Sequence, residues 1–290
     1  MGPAARLLAL GATAAAGLAG GAWLGARHIS GPQRPAFDYG FTPFEVGIDQ
    51  AEEIGFRACD GTRLAGWWLD RPGSERVVIV CHGHRGTKAE MLGIGPGLWR
   101  AGNSVLLFDF RGNGESGDGP QSLAHYEQRD LEAAIELVAA RRPEAQICLV
   151  GFSMGAATSI LVAARDERVA QVVADSPFAD MRGVIEAAVR GWRLPPVPLV
   201  QLADRATQIA YGYRFADVQP IDVVGRIAPR RLLIVHGTQD SVIPVEHARR
   251  LAATAGEGSR LELVEGVDHC GAYFADRPGY IAHVADFLAG

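Results

Sequence analysis

The chain is short of cysteine and has no surplus of positive charge, and each shortage removes a class of function. Its four cysteines, Cys59, Cys81, Cys148 and Cys270, form no C-x-x-C pair and no His/Cys spacing suited to zinc, so no metal is expected. Cys81 and Cys148 lie in apolar runs, where a free thiol packs as a small apolar residue, and spacing alone cannot pair the four into disulfides. With 28 Lys and Arg against 33 Asp and Glu, the net charge of -5 supplies no basic field for nucleic acid, and DNA and RNA are not expected partners. At 48% hydrophobic and 21% charged, the composition fits neither extended disorder nor a polytopic membrane protein. A chain of 290 residues can fold as one large α/β core with an appendage.

One stretch stands apart. Between Arg6 and Arg27, Leu7 to Ala26 carries no charge and is just long enough to cross a bilayer as a helix. It is weakly apolar, because alanine and glycine dominate it. Thr13, Gly17, Gly21 and Gly25 recur every four residues, which would give a helix one smooth face, although Ala/Gly bias produces the same pattern. The favoured reading of residues 1–29 is an uncleaved N-terminal anchor holding the protein at a membrane. A cleavable signal peptide is the alternative, weakened by Leu24 at the −3 position of a cut after Ala26. Residues 30–43, with Pro32, Pro35 and Pro43, read as a tether to a domain over 44–290.

In that domain short β-branched runs alternate with amphipathic stretches, the pattern of a doubly wound, mostly parallel α/β sheet. Ile54–Ala58 and Arg63–Leu69 flank the turn signal Asp60-Gly61, so the sheet should begin antiparallel. Strands are then expected at Val77–Val80, Val105–Phe108, Ile147–Val150, Val172–Ala174, Leu232–Val235 and Leu261–Val264, each short and apolar as a strand covered on both faces should be. Helices are expected at Leu123–Arg141, Met154–Ala164 and Val245–Ala255. The interval 177–229 is too long for a simple crossover and reads as a small, mainly helical cap, rich in aromatic and proline residues.

Gly151-Phe152-Ser153-Met154-Gly155 has the form G-x-S-x-G, following an apolar strand and opening a helix, as that motif requires. The turn is so tight that glycines are needed two residues to either side of the serine, at 151 and 155, and the hydroxyl is pushed out at the strand end. On these residues the chain resembles the α/β-hydrolases, from about Glu45 to the C-terminus, and within them the serine-aminopeptidase-like and prolyl-oligopeptidase-related bacterial hydrolases. The resemblance implies an acid and then a histidine after later strands. Asp240, in His236-Gly237-Thr238-Gln239-Asp240, and His269, in Val267-Asp268-His269, occupy those places. Asp240 would hold the imidazole that deprotonates Ser153. Asp175, at the end of an earlier strand, is the alternative acid. Asp268 reads as solvated, His236 as shaping the acid loop, and Cys270 as a loop or core residue without an elbow.

His82-Gly83-His84-Arg85-Gly86 follows the Val77–Val80 strand, where the family places one oxyanion donor. By position, the donors are the backbone N–H groups of His84 and Met154. His84 and Arg85 stand where some lipases have glycine, which argues against lipase-like specificity. Asp109-Phe110-Arg111-Gly112-Asn113-Gly114-Glu115-Ser116 reads as scaffold and lacks the strand and helix context of a dinucleotide loop, so no cofactor is expected. The function implied is hydrolysis of a small-molecule ester or thioester through an acyl-enzyme, the cap favouring a moderately apolar acyl group. A peptidase, which would need a carboxylate for a substrate amine, an acyltransferase, and a tethered binding protein without catalysis are the alternatives.

Overall fold

The computed structural model describes residues 3–34 and 41–290, with side chains from residue 17 onward. Eight runs form one sheet: β1 Glu52–Arg57, β2 Arg63–Leu69, β3 Arg76–Cys81, β4 Ser104–Phe108, β5 Gln146–Phe152, β6 Val169–Asp175, β7 Arg231–Gly237 and β8 Ser259–Val264. Their order is β1-β2-β4-β3-β5-β6-β7-β8, with β2 antiparallel to both neighbours and every later pairing parallel. All eight expected strands are present, within a few residues of their expected ends. The central strands are buried on both faces, because alternate residues feed opposite layers. In β3, Val77, Ile79 and Cys81 enter one apolar layer, while Val78 and Val80 enter the other.

Helix α1, Pro3–Ser30, precedes the sheet, and α2, Gly95–Arg100, joins β3 to β4. The first apolar layer is covered by α3 (Glu127–Arg141), α4 (Met154–Ala163), α5 (Met181–Gly191), α6 (Pro196–Tyr211) and α7 (Glu246–Ala255). On the second lie α2 and, after the short α8 (Ala272–Ala275), the helix α9 (Arg277–Ala289) through Tyr280, Val284, Phe287 and Leu288. Helix α3 begins at Glu127 and not at Leu123: Leu123 and Ala124 have positive φ, and the buried Glu127 carboxylate accepts the Ser122 and Ala124 N–H groups and the Ser122 hydroxyl. A helical pattern in the side chains was overridden there by a local side-chain acceptor. All four cysteines are free, with Cys81 and Cys148 buried in β3 and β5.

The loop after β4 is scaffold built on charge. Asp109 accepts the N–H of Lys88, the only lysine in the chain, at 2.7 Å and its ammonium at 2.9 Å, and Lys88 also pairs with Glu115. Arg111 forks onto the buried Asp130 and reaches Asp60 at 2.7 Å. Arg111→Met would leave Asp130 ionisable, buried and unpaired, so urea unfolding should show a loss of about 3–5 kcal/mol.

The N-terminal anchor reading meets the structure only in part. Among the described residues no helix is long and apolar enough to cross a membrane. Within the stretch Leu7–Ala26, the side chains of residues 7–16 lie outside those described. The tether reading is narrowed: Ser30 and Gly31 are buried, and Arg34 bonds the Gly114 and Ser116 carbonyls, so the chain leaves α1 pinned to the body. Residues 35–40 lie outside the described residues.

Candidate active site

Ser153 stands between β5 and α4 with φ 53° and ψ −116°, a conformation costly for a residue with a side chain. Its N–H is tied to the Asp175 carbonyl at 2.8 Å, which fixes the elbow to the end of β6. A Cβ at Gly151 would strike the Gly155 backbone, and one at Gly155 would strike the carbonyls of Cys81 and His82, so only glycine lets β5, the turn and α4 close this tightly.

The structure brings three of the expected residues into one line. Ser153 Oγ lies 2.9 Å from His269 Nε2, and His269 Nδ1 lies 2.7 Å from Asp240 Oδ2. The other Asp240 oxygen accepts the Val242 and Ile243 N–H groups at 2.9 and 2.7 Å. Burial pushes the Asp240 carboxyl up, but the His269 hydrogen bond and these two amides outweigh it and hold it below the usual carboxylate range. With Asp240 ionised, Nδ1 of His269 carries the proton and Nε2 faces Ser153 as an acceptor. His236 shapes this loop: its Nε2 donates to the Ile243 carbonyl at 2.9 Å and lies 3.3 Å from Asp240 Oδ2.

Asp175 stays apart from the histidine. It accepts the Tyr280 hydroxyl at 2.7 Å and the Ser176 hydroxyl at 2.9 Å, and Ser176 Oγ in turn accepts the Cys270 N–H at 3.1 Å. Asp175 therefore braces the backbone beside His269. Burial pushes its carboxyl up to about 6, despite help from Tyr280, Ser176 and His269. The folded chain then binds this proton more tightly than the unfolded chain, so the stabilisation is complete below about pH 4 and lost as pH rises through 6. Two pH units correspond to about 3 kcal/mol. Asp175→Asn should therefore gain stability relative to the wild type between pH 4 and 7, as measured by urea midpoints across that range. Asp268, read as solvated, is exposed but accepts the Ser241 and His269 N–H groups, both at 2.7 Å, and so joins the two loops.

The His82–Gly86 loop lies against Ser153: a Cβ at Gly83 would come 3.6 Å from Ser153 Cβ. Met154 opens α4, so its N–H has no helical acceptor, and among the described residues the His84 N–H has no backbone acceptor. Both amides are available to a ligand beside Ser153. Arg85 holds φ 61°, a glycine-like position, while its side chain donates to the His28 carbonyl of α1 and to Gln121 at 3.3 Å. Burial, with Arg85 and His28 close by, pushes the His84 imidazole down to about 3, which leaves it neutral.

Ser153, His269 and His84 open on a cavity of about 640 Å³. Its walls correct the expectation that the cap shapes the substrate site, for none of its lining residues lies in 177–229. They come instead from the turn after the His82–Gly86 loop (Glu90, Met91, Ile94), from Val242, and from the stretch after His269 (Tyr273, Phe274, Arg277). Motif reading missed these residues because they belong to no motif. The wall is mostly apolar with two charged groups. Burial pushes the Glu90 carboxyl up, against the Thr87 amide that stabilises it, and the Arg277 guanidinium lies 5.6 and 5.5 Å from the Tyr273 and Phe274 ring centres.

A serine within hydrogen-bond reach of an imidazole that a carboxylate holds, with backbone amides beside it, is equipped for acyl transfer. Residues 72–208 match the family described as serine aminopeptidase, S33. The uncharacterized protein Rv2307c of Mycobacterium tuberculosis is 33% identical over 217 residues, which cover 72% of this chain and 69% of its own. The chain belongs to the α/β-hydrolase superfamily. The uncharacterized protein YqkD of Bacillus subtilis is 29% identical to the hydrolase over 257 residues, 87% of this chain and 84% of the relative. Among solved structures, the Pyrococcus furiosus esterase Pf2001 superposes with a TM-score of 0.74 at 24% identity, covering 89% of the hydrolase and 96% of the esterase chain. At that identity the likeness bears on the fold.

Proposed function

We propose that this hydrolase cleaves esters or thioesters of moderately apolar acyl groups through an acyl-enzyme on Ser153. The observation that carries the reading is the line from Ser153 through His269 to Asp240, opening on a cavity walled by Met91, Ile94, Val242 and Phe274. Ser153 Oγ attacks the acyl carbon as its proton passes to His269 Nε2. The N–H groups of His84 and Met154 hold the oxyanion, and the leaving alcohol or thiol departs with the proton from His269. Water then attacks the acyl-enzyme, giving its proton to His269, and Ser153 is released as the acid product leaves.

A panel of p-nitrophenyl esters, matched thioesters and aminoacyl p-nitroanilides tests the reading. The kcat/KM should rise from acetate towards hexanoate by up to about fourfold per added methylene, the gain expected if each is buried. Phe274→Ala should flatten that rise. Turnover of the anilides alone, with the esters inert, would overturn the proposal.

Glu90 favours a second reading, hydrolysis of an aminoacyl amide, because it supplies a carboxylate in the cavity for a substrate amine, and the S33 family match agrees. On that reading Glu90→Gln would raise KM for substrates with a free amine and leave the simple esters unchanged. Attachment to a membrane through the N-terminal stretch is proposed alongside either activity.

A further inference from the structure

Away from the catalytic cavity, the last turns of α1 lie along α6 in the cap, and a groove of about 500 Å³ runs between α1, α5 and α6. Apart from His28 its walls are aliphatic or aromatic, with no acidic residue among them. Leu24, Trp192 and Leu194 border it and stand open to solvent, Leu24 at 67% and Trp192 at 65% exposure, and Trp23 and Val197 are exposed on the same elements. Apolar side chains left this open, on two helices packed together, form a patch of the kind that soluble proteins cover.

We infer that this face, α1 from about Gly21 together with the α5–α6 turn of the cap, rests in the interface of a lipid bilayer, so that the cap and not α1 alone contacts the membrane. Three observations select lipid as the occupant. Helix α1 runs on from the patch towards its N-terminus through the uncharged stretch Leu7–Ala26, so the patch and that stretch belong to one helix. Trp23 and Trp192 are the residue type that settles at headgroup depth. Arginines fringe the patch although the chain as a whole is acidic: Arg27 and Arg193 have no carboxylate partner among the described residues, and Arg190 shares Glu186 with Arg182. Cations beside an apolar face suit anionic headgroups.

The body fixes the orientation of α1. Ser30 Oγ is 2.6 Å from the buried Tyr213 hydroxyl of the cap, the His28 carbonyl is held by Arg85, and Gly25 packs close to Ala203. A helix held in this way cannot meet a membrane without carrying the cap face with it. The inference deepens the proposal of membrane attachment and does not depend on which acyl bond is cleaved.

The full-length protein is reconstituted on vesicles of phosphatidylcholine and phosphatidylglycerol with brominated acyl chains, which quench nearby tryptophan. In Trp23→Phe the remaining emission should still be quenched, and Trp23→Phe with Trp192→Phe should lose that quenching. Arg193→Glu should weaken the quenching on anionic vesicles and not on neutral ones, by about fivefold or more in apparent affinity if one cation is worth about 1 kcal/mol there. Quenching in the wild type that disappears in Trp23→Phe alone would confine contact to α1 and overturn the inference. So would an unquenched protein that is a dimer in solution, because the patch would then belong to a second copy. Esterase activity in detergent is read separately, so a failed membrane result leaves the catalytic reading intact.

Discussion

Asp240→Asn is expected to lower kcat on a p-nitrophenyl ester by about 10³–10⁴, the usual cost of reversing the tautomer of such a histidine. The direction follows from the hydrogen bonds. One Asp240 oxygen accepts two backbone N–H groups, so the asparagine must keep its carbonyl oxygen there. Its amide NH₂ is then forced to face His269 Nδ1, where the carboxylate oxygen stood. Nδ1 becomes the acceptor, the proton moves to Nε2, and Nε2 can no longer take the Ser153 proton. Asp175→Asn should stay within about tenfold of the wild type, because the partners of Asp175 are two hydroxyls that can turn to suit the new group. Steady-state kinetics on the two variants separate the roles. Equal losses would contradict the assignment of Asp240.

Ser153→Ala carries the larger expected effect. Removing such a nucleophile costs about 10⁵–10⁶ in kcat, because the neighbouring histidine then has no group to activate. Labelling by a fluorophosphonate should vanish with it. Alanine is no worse than serine at φ 53°, so the thermal midpoint should remain near that of the wild type. Labelling that persists in Ser153→Ala would place the nucleophile elsewhere and remove the basis of the proposed function. Cys270 is the other nucleophilic side chain in the cavity, but burial raises its thiol well above the usual range and leaves it a poor competitor.

The cavity walls and the His84–Arg85 pair together bear on specificity. Two residues stand where some lipases have glycine, and the structure accommodates them in different ways. Arg85 takes a left-handed backbone and sends its side chain to α1, while His84 is half-buried and neutral at the edge of the cavity. The loop beside the nucleophile is therefore braced by the N-terminal helix. An α1 displaced from the cap would be felt at Arg85, one residue from the His84 amide.

From the sequence alone came the sheet and the elbow, because each is local, while the chain order of serine, acid and histidine came from the resemblance to the α/β-hydrolases. A strand buried on both faces must be a short apolar run, and an elbow this tight admits only glycines two residues to either side of the serine. Those constraints act between neighbours in the chain and can be read without knowing what packs against them. Other features were decided by contacts between distant segments. Tyr273 donates to the Gly93 carbonyl at 2.8 Å, joining two stretches 180 residues apart, and from that junction comes the wall holding Met91, Ile94 and Phe274. Asp240 rather than Asp175 faces His269 because Tyr280, on the last helix, engages the carboxylate of Asp175. The cap, which composition placed over the substrate, instead packs against α1, since the apolar faces of α5 and α6 find a partner there. Periodicity shows that a helix has an apolar face, but only the tertiary structure decides what that face meets.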